Sequence, residues 1–491
     1  MRMSGIAGTQ HSGPGGDDDD RSATYTVGFT NDCDYLCDGA ADDVQINQAI
    51  TDLAANFTTG RIVLREGTYD ITATIAASVA NMEIRGMGWG TILSVDCGGE
   101  GIDVTANGVN IAHFALVVAA GAGAVGTRPN GIQVGADYAT IEHIYFYGDA
   151  TIDDGSWDRQ NAVRIGPAGD HALVYNCVMT NWFRMGVRIY KGDYNWILCC
   201  RIFGNQRDGI YIESDDNANH AIGNQVVNCW ISDAQAGIVL ETYVDLTIIE
   251  HNEIYLTSQE GIRLNQGGDG FYTIVADNVI HEVQREGISV GCDYSVISDN
   301  LIYDADSAET GTYYGIKIPD DRIYITVTGN FITSCDAGGI ECAGTGHTIT
   351  GNMIYDNDGD GIYLAASSCS ITGNVISAND GDGIEINGGD ANTVSENRIL
   401  GNGAFGLNID NDADSNSLQA NYTSGNISGS VNVGNANCDT NRISDNTLED
   451  GAIADVGTNT RAWLNYDPSA NAFVATINAP TVVGGGGGAL P

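Results

Sequence analysis

The sequence predicts an all-β chain wound as one parallel β-solenoid, and three observations carry that prediction. The first is a phrase of Gly, aliphatic, variable, aliphatic. It runs from Gly209-Ile210-Tyr211-Ile212 through Gly237-Ile238, Gly261-Ile262, Gly287-Ile288, Gly315-Ile316, Gly339-Ile340 and Gly361-Ile362 to Gly383-Ile384, with a looser copy at Gly406-Leu407. Its interval of about 22 to 28 residues is the period of a stacked-repeat architecture. The second is an Asn that opens another short strand in each repeat, as in Asp277-Asn278-Val279-Ile280, Gly329-Asn330-Phe331-Ile332 and Gly351-Asn352-Met353-Ile354. The third is the lack, through this region, of any helix-length segment with a 3.6 period, which excludes ankyrin-like and TPR-like stacks. Gly and Asn accept the left-handed backbone that sharp corners need. Strands this short bury their apolar face only by stacking coil on coil.

In chain order, residues 1–24 are polar and end near the acid run Asp17 to Asp20, which predicts disorder. Residues 25–100 hold an N-terminal cap and the first coils. Asp42 and Asp43 stand where they can cap a helix whose Ile46, Ala49, Ile50 and Leu53 follow helical spacing. Such a helix would plug the otherwise open first coil. Arg61 to Leu64 and Glu66 to Tyr69 read as strand, turn and strand, and Gly86 to Leu93 as another corner. The solenoid proper spans 101–457. In the remainder, 458–491, Trp463 to Pro468 and Phe473 to Ile477 are candidate cap strands before a flexible Gly484 to Gly488 tail.

The opening Asp38-Gly39 to Ile50, then Glu66-Gly67-Thr68-Tyr69, then Gly86-Met87-Gly88-Trp89-Gly90-Thr91, resembles that of pectate-lyase-like proteins. The later Gly-Asn and Gly-Ile repeats are similar to the general repeat of the same group, and the resemblance covers about residues 31 to 457. It implies a single-stranded right-handed parallel β-helix with an N-terminal capping helix, in a group rich in phage tail-spike and fibre proteins. It does not imply one reaction. The ordered motif set of the polygalacturonase-like hydrolases is missing, and the one Asp-Pro, Asp467-Pro468, continues with Ser469 where the mannuronan epimerases have His.

Composition narrows the partners. The net charge of −44 argues against nucleic acid and anionic membrane. No apolar segment reaches transmembrane length, and the first residues lack the apolar core of a secretion signal. Together with the resemblance this points to a virion-surface or extracellular protein, a homo-oligomer and, if spike-like, a trimer. Of the twelve cysteines, Cys33 and Cys37 form a lone C-x-x-x-C, weak for zinc and open to a disulfide. Cys177, Cys200 and Cys229 keep one spacing from their repeat glycines and are expected as an inward column of small hydrophobes. No cofactor is implied. Asp358-Gly359-Asp360-Gly361 and Asp380-Gly381-Asp382-Gly383 suggest calcium, but without nine-residue repeat spacing plain polar turns are the leading reading. The Asn column from Asn252 to Asn397 is expected as a structural amide ladder.

Matching positions of neighbouring coils stack about 4.8 Å apart. One outward column then reads Arg188, Tyr211, Val239, Arg263, and the next Tyr190, Glu213, Glu241, Asn265. Glu213 and Glu241 would be neighbours, near the separation of about 5 Å found in retaining glycosidases. Like charges so close raise one pKa and suit a general acid, with Arg188 beside them to neutralise developing charge. Asp215, Asp216 and Asp245 lie at the following corner. The alternative is a solvated acidic ladder bridged by arginines or an ion. Trp157, Trp182, Tyr190, Tyr194, Trp196, Tyr211 and Trp230 share this stretch with a cluster of Arg159, Arg164, Arg184, Arg188, Lys191, Arg201 and Arg207. Trp182, Tyr190, Trp196, Tyr211 and Arg263 are the candidates for carbohydrate binding. The leading reading is a fibre-type protein presenting a rigid face to polysaccharide. A lyase or hydrolase using Glu213, Glu241 and Arg188, and a purely structural filament or shell subunit, are the alternatives.

Overall fold

The computed structural model of the chain describes residues 23–119, 128–151, 159–215, 217–264, 270–451, 453–457, 459–470 and 472–473. Asp17 to Asp20, Trp157, Asp216, Asn265 and the Gly484 to Gly488 tail, named above, lie outside them. The chain coils through three parallel sheets, called here I, II and III. One coil runs through Ile248–Glu250 in sheet I, Glu253–Tyr255 in sheet II and Ile262–Leu264 in sheet III. Each strand pairs in parallel with its counterpart one coil on, Ile249 opposite Val275, Ile254 opposite Ile280 and Arg263 opposite Ser289.

The alternation of the sequence decides which side chains enter the core. In sheets I and II the middle residue of a three-residue strand points inward. In sheet III the first and third do, so Ile262 and Leu264 are buried and Arg263 looks out. The result is a continuous column of isoleucine, valine and leucine through the molecule. Each buried aliphatic side chain contributes roughly 1.5–3 kcal/mol, realised only once a neighbouring coil covers it.

The repeat glycine is required by close approach. A Cβ on Gly237 would stand 2.4 Å from Ile254 Cγ2 and 2.6 Å from the Gly261 carbonyl oxygen, and the other copies show the same pattern. The Asn column is the amide ladder expected. Asn330 Nδ2 donates to Asn352 Oδ1 at 3.0 Å and Asn352 Nδ2 to Asn374 Oδ1 at 3.0 Å, all three buried. The ladder runs on to Asn465, beyond Asn397. Cys177, Cys200 and Cys229 occupy its earlier rungs: the Cys229 backbone N–H donates to Asn252 Oδ1 at 2.9 Å, and the Cys229 thiol to the Ile197 carbonyl. All twelve cysteines are free thiols.

The cap helix spans Asp43–Asn56 and buries Ile46, Ala49, Ile50 and Leu53 as its spacing requires. Its aspartates do not cap it. Asp42 Oδ1 accepts from the Gly39 amide and Oδ2 from the Asp70 amide, while Asp43 Oδ1 accepts from the Thr72 amide. The two buried carboxylates thereby tether the helix to the first coil. At the other end the solenoid outlasts the expected boundary. Arg461–Trp463 still pairs in parallel with Arg442–Ser444 and Tyr466 with Thr447, and only Ala472–Phe473 turns back antiparallel onto Tyr466–Asp467. No helix among the described residues is long and apolar enough to cross a membrane.

Candidate functional site

The outer face of sheet III carries the candidate site. Its outward column runs Gln133, Arg164, Arg188, Tyr211, Val239, Arg263, Ser289, Lys317, Glu341, Tyr363 and Glu385, one residue per coil. The register expected for Arg188, Tyr211, Val239 and Arg263 is the register observed. Although these side chains point away from the core, Arg188, Tyr211, Val239 and Ser289 are buried, and Tyr211 and Val239 pack with Met185 and Ala236 as a small apolar cluster of their own. Sheet III therefore forms a recessed floor over these coils.

Charge lines that floor. Arg188 Nε donates to Glu213 Oε1 at 2.8 Å, and Nη2 closes on the same oxygen. Arg263 reaches three acceptors: Glu241 Oε2 at 3.7 Å, Glu260 Oε2 at 3.3 Å and Gln259 Oε1 at 3.2 Å. Tyr190, paired with Glu213 across the sheet, has the Arg164, Arg188 and Lys191 cations 5.1 to 5.8 Å from its ring centre. Lys191 in turn pairs with Asp215. Glu213 is thus bound by Arg188. Glu241 is held more loosely, and burial pushes its carboxyl up, Arg263 pulling it back and Glu213 pushing it further.

One acid escaped the sequence reasoning. Asp208, buried in the turn entering sheet III, has its carboxyl pushed up to about 6 by burial, against the opposing pull of Arg263. It accepts the Ala236 amide at 3.2 Å. Asp208, Glu260, Glu286, Asp360 and Asp382 each directly precede a repeat glycine. Burial pushes the carboxyls of Glu286, Asp360 and Asp382 up as well. The signal was an Asp/Glu-Gly-Ile phrase, which reads as an ordinary polar turn unless the next coil is known to cover it.

The carbohydrate candidates divide. Tyr190, Tyr211 and Arg263 lie on sheet III. Trp182 is 2 % exposed, its ring over Gly148 of the preceding coil, so it belongs to the core and presents no face to a glycan. Trp196 is exposed, but it opens the sheet I strand Trp196–Leu198 on another side of the solenoid. Trp230 lies on sheet II beneath Arg201. The Asp-Gly runs bring Asp360 and Asp382 together with Glu385, their carboxylate oxygens within 4.8 Å of one another on the sheet III side. These three could hold a cation. Their oxygens already accept from the Asp382 and Phe405 amides and from the Asn408 and Asn387 side chains.

The right-handed β-helix region family matches over residues 72–270, 161–332, 261–421 and 338–479, which together span most of the chain. Comparison with curated proteins at the sequence level gives no match. Among solved structures, a tailspike mutant of the E. coli bacteriophage HK620 in complex with pentasaccharide is similar at 12% identity and TM-score 0.56, over 79% of this chain and 75% of that one. The Dettilon tailspike is similar at 16% identity and TM-score 0.40, over 81% and 68%. The periplasmic alginate epimerase AlgG is similar at 13% identity and TM-score 0.36, over 74% and 76%. With its three parallel sheets, its amide ladder and this family match, the chain belongs to the right-handed parallel β-helix family.

Proposed function

We propose that this chain binds polysaccharide along the recessed face of sheet III, as a virion-surface or extracellular fibre-type protein. The observation that carries the reading is the floor itself, where Tyr190, Glu213, Glu241 and Arg263 stay partly exposed above a buried Arg188, Tyr211 and Val239. Arginines held in place by carboxylates offer preset hydrogen-bond donors, and Tyr190 offers an aromatic face beside them. A saccharide-bound tailspike shares the fold. A homo-oligomer, a trimer in the spike-like case, goes with the same reading, and a net charge of −44 disfavours nucleic acid.

A second reading is favoured by Asp208 and Glu241. Both carboxyls are pushed upward by burial beside Arg263, Asp208 to about 6, as a general acid requires. In a lyase or hydrolase they would be the proton donors, with Arg263 at the sugar acid.

Incubation with acidic and neutral polysaccharides, with and without calcium, tests both. Unsaturated-product absorbance and reducing ends are followed together with binding. Binding without turnover is the expected result. Turnover abolished in Asp208→Asn or Glu241→Gln, and falling as pH rises past about 6 as the acid loses its proton, establishes the enzyme. Neither binding nor turnover leaves a structural subunit.

A further inference from the structure

Far from sheet III, at the turn joining sheets I and II, two consecutive coils place His113 and His143 one above the other. Each follows the last residue of a sheet I strand, Asn110–Ala112 and Thr140–Glu142, and each takes the left-handed conformation, φ 61 and 55. Later coils fill the same corner with Asn176, Cys199, Asn228, His251, Asp277, Asp299 and then glycines. Here the two imidazoles stack with ring centres 4.6 Å apart and planes 9° apart. Glu142 lies beside them, and one ligand atom from each of the three residues falls within 4.8 Å of the other two.

We infer that His113, Glu142 and His143 form a binding site for a divalent transition ion of the Zn²⁺ or Co²⁺ type, open on its fourth side. Two imidazoles and one carboxylate suit such an ion and not Ca²⁺ or Mg²⁺, which take oxygen ligands. The surroundings agree on several independent points. Asn110 Nδ2 donates to Glu142 Oε1 at 3.2 Å, which fixes the carboxylate and leaves Oε2 3.5 Å from His143 Nδ1. That nitrogen is buried and has no hydrogen-bond partner. Tyr175 packs edge-on against the His143 ring at 5.5 Å, limiting its rotation. The nearby Arg85 is held by Glu83 at 3.4 Å, which offsets its repulsion of a cation.

The open side faces a cavity of about 460 Å³ lined by Gly88, Trp89, Asn176, Val178 and Arg201 as well as the two histidines. A water or an anionic ligand group would complete the coordination there, with Arg201 at hand for the negative charge. Tetrahedral ligation at bond lengths of about 2.0–2.1 Å needs the ligand atoms about 3.3 Å apart. The site must therefore contract, which a small shift of the half-buried His113 ring towards Glu142 and His143 supplies. An ion so held joins two coils.

The test is a titration of the full chain with Co²⁺ and with Zn²⁺ near neutral pH, in an excess of Ca²⁺ and Mg²⁺ to occupy nonspecific acidic sites. The readouts are Co²⁺ d–d absorption, Trp89 quenching and the melting temperature. His113→Asn and His143→Asn suit the corner, since Asn176 and Asn228 already occupy it, and their metal-free melting temperatures check folding. One equivalent of ion is expected, with a higher melting temperature on binding and affinity falling about 100-fold in either variant and about 10-fold in Glu142→Gln. His251→Ala and Cys199→Ser should leave binding unchanged. No saturable binding, or binding that survives in the double His→Asn variant, overturns the site.

Discussion

At Gly237 a methyl group has no room, since Ile254 Cγ2 and the Gly261 carbonyl lie 2.4 and 2.6 Å from where it would stand. At Gly351 the difficulty is different: φ is +65 but nothing lies within 4 Å. Gly351→Ala should therefore cost only the left-handed penalty, about 1–2 kcal/mol. Gly237→Ala must displace a packed neighbouring coil, an overpacking cost of about 1–3 kcal/mol or more. Urea denaturation of both variants checks the order, and a Gly351→Ala more damaging than Gly237→Ala contradicts it. Asp208 supplies a pH prediction. A carboxyl raised from 3.8 to about 6 in the folded state binds more protons there than when unfolded. Stability from this residue is thus highest below about pH 4, falls as pH rises towards 6, and is lowest above that. Asp208→Asn, which can still accept the Ala236 amide, should flatten the fall, as melting temperatures across that window would reveal. The glycines were legible because a period is visible in one dimension. Asp208 was not, because its burial depends on what the next coil lays over the turn.

The coil is the unit that makes these residues cooperate. Asn352 accepts from Asn330 and donates to Asn374 and to the Val327 carbonyl, all away from water. Asn352→Leu takes away the acceptor of the Asn330 backbone N–H and the donor to the Val327 carbonyl, at about 1–3 kcal/mol for each group left unmatched. A lower denaturation midpoint is expected, larger than that of Cys200→Ala, which leaves only weak thiol contacts unmade. Equal losses would argue that the ladder is incidental. Coil geometry also explains which residues could be assigned to a face from the sequence. Arg188, Tyr211, Val239 and Arg263 follow the repeat glycine within one strand, so their face could be counted from it. Trp182 and Trp196 sit beyond turns of variable length, where distance from a glycine no longer tells which of three faces a residue joins. Trp182 went to the core and Trp196 to sheet I. The acid pair was legible in register, but its partners were not. That Arg188 binds Glu213 while Arg263 is shared with Glu260 depends on side-chain reach across coils.

As a whole the molecule is a rigid rod with a large uniform charge. Sheet III has sixteen strands, which at about 4.8 Å each gives a face roughly 75 Å long. Sixty-four acids face twenty basic residues, so self-repulsion outweighs what exposed ion pairs such as Arg61 with Glu83 return. The melting temperature should therefore rise with added NaCl as repulsion is screened, and a fall would mean that specific ion pairs dominate. Both the rod and its charge were readable from repeats and composition. Which side of the rod is recessed was not, because recession comes from turns whose lengths carry no period.

The central claim is that sheet III, and not another side of the rod, meets polysaccharide. Equilibrium binding of the wild type, Arg263→Gln and Trp196→Ala to one panel of acidic and neutral polysaccharides tests it most directly. At least one polysaccharide should bind the wild type, weaken about tenfold or more with Arg263→Gln as a charge-assisted contact is lost, and bind Trp196→Ala unchanged. Binding that survives Arg263→Gln and fails in Trp196→Ala would place the glycan on sheet I and contradict the account, as would no binding to any member of the panel.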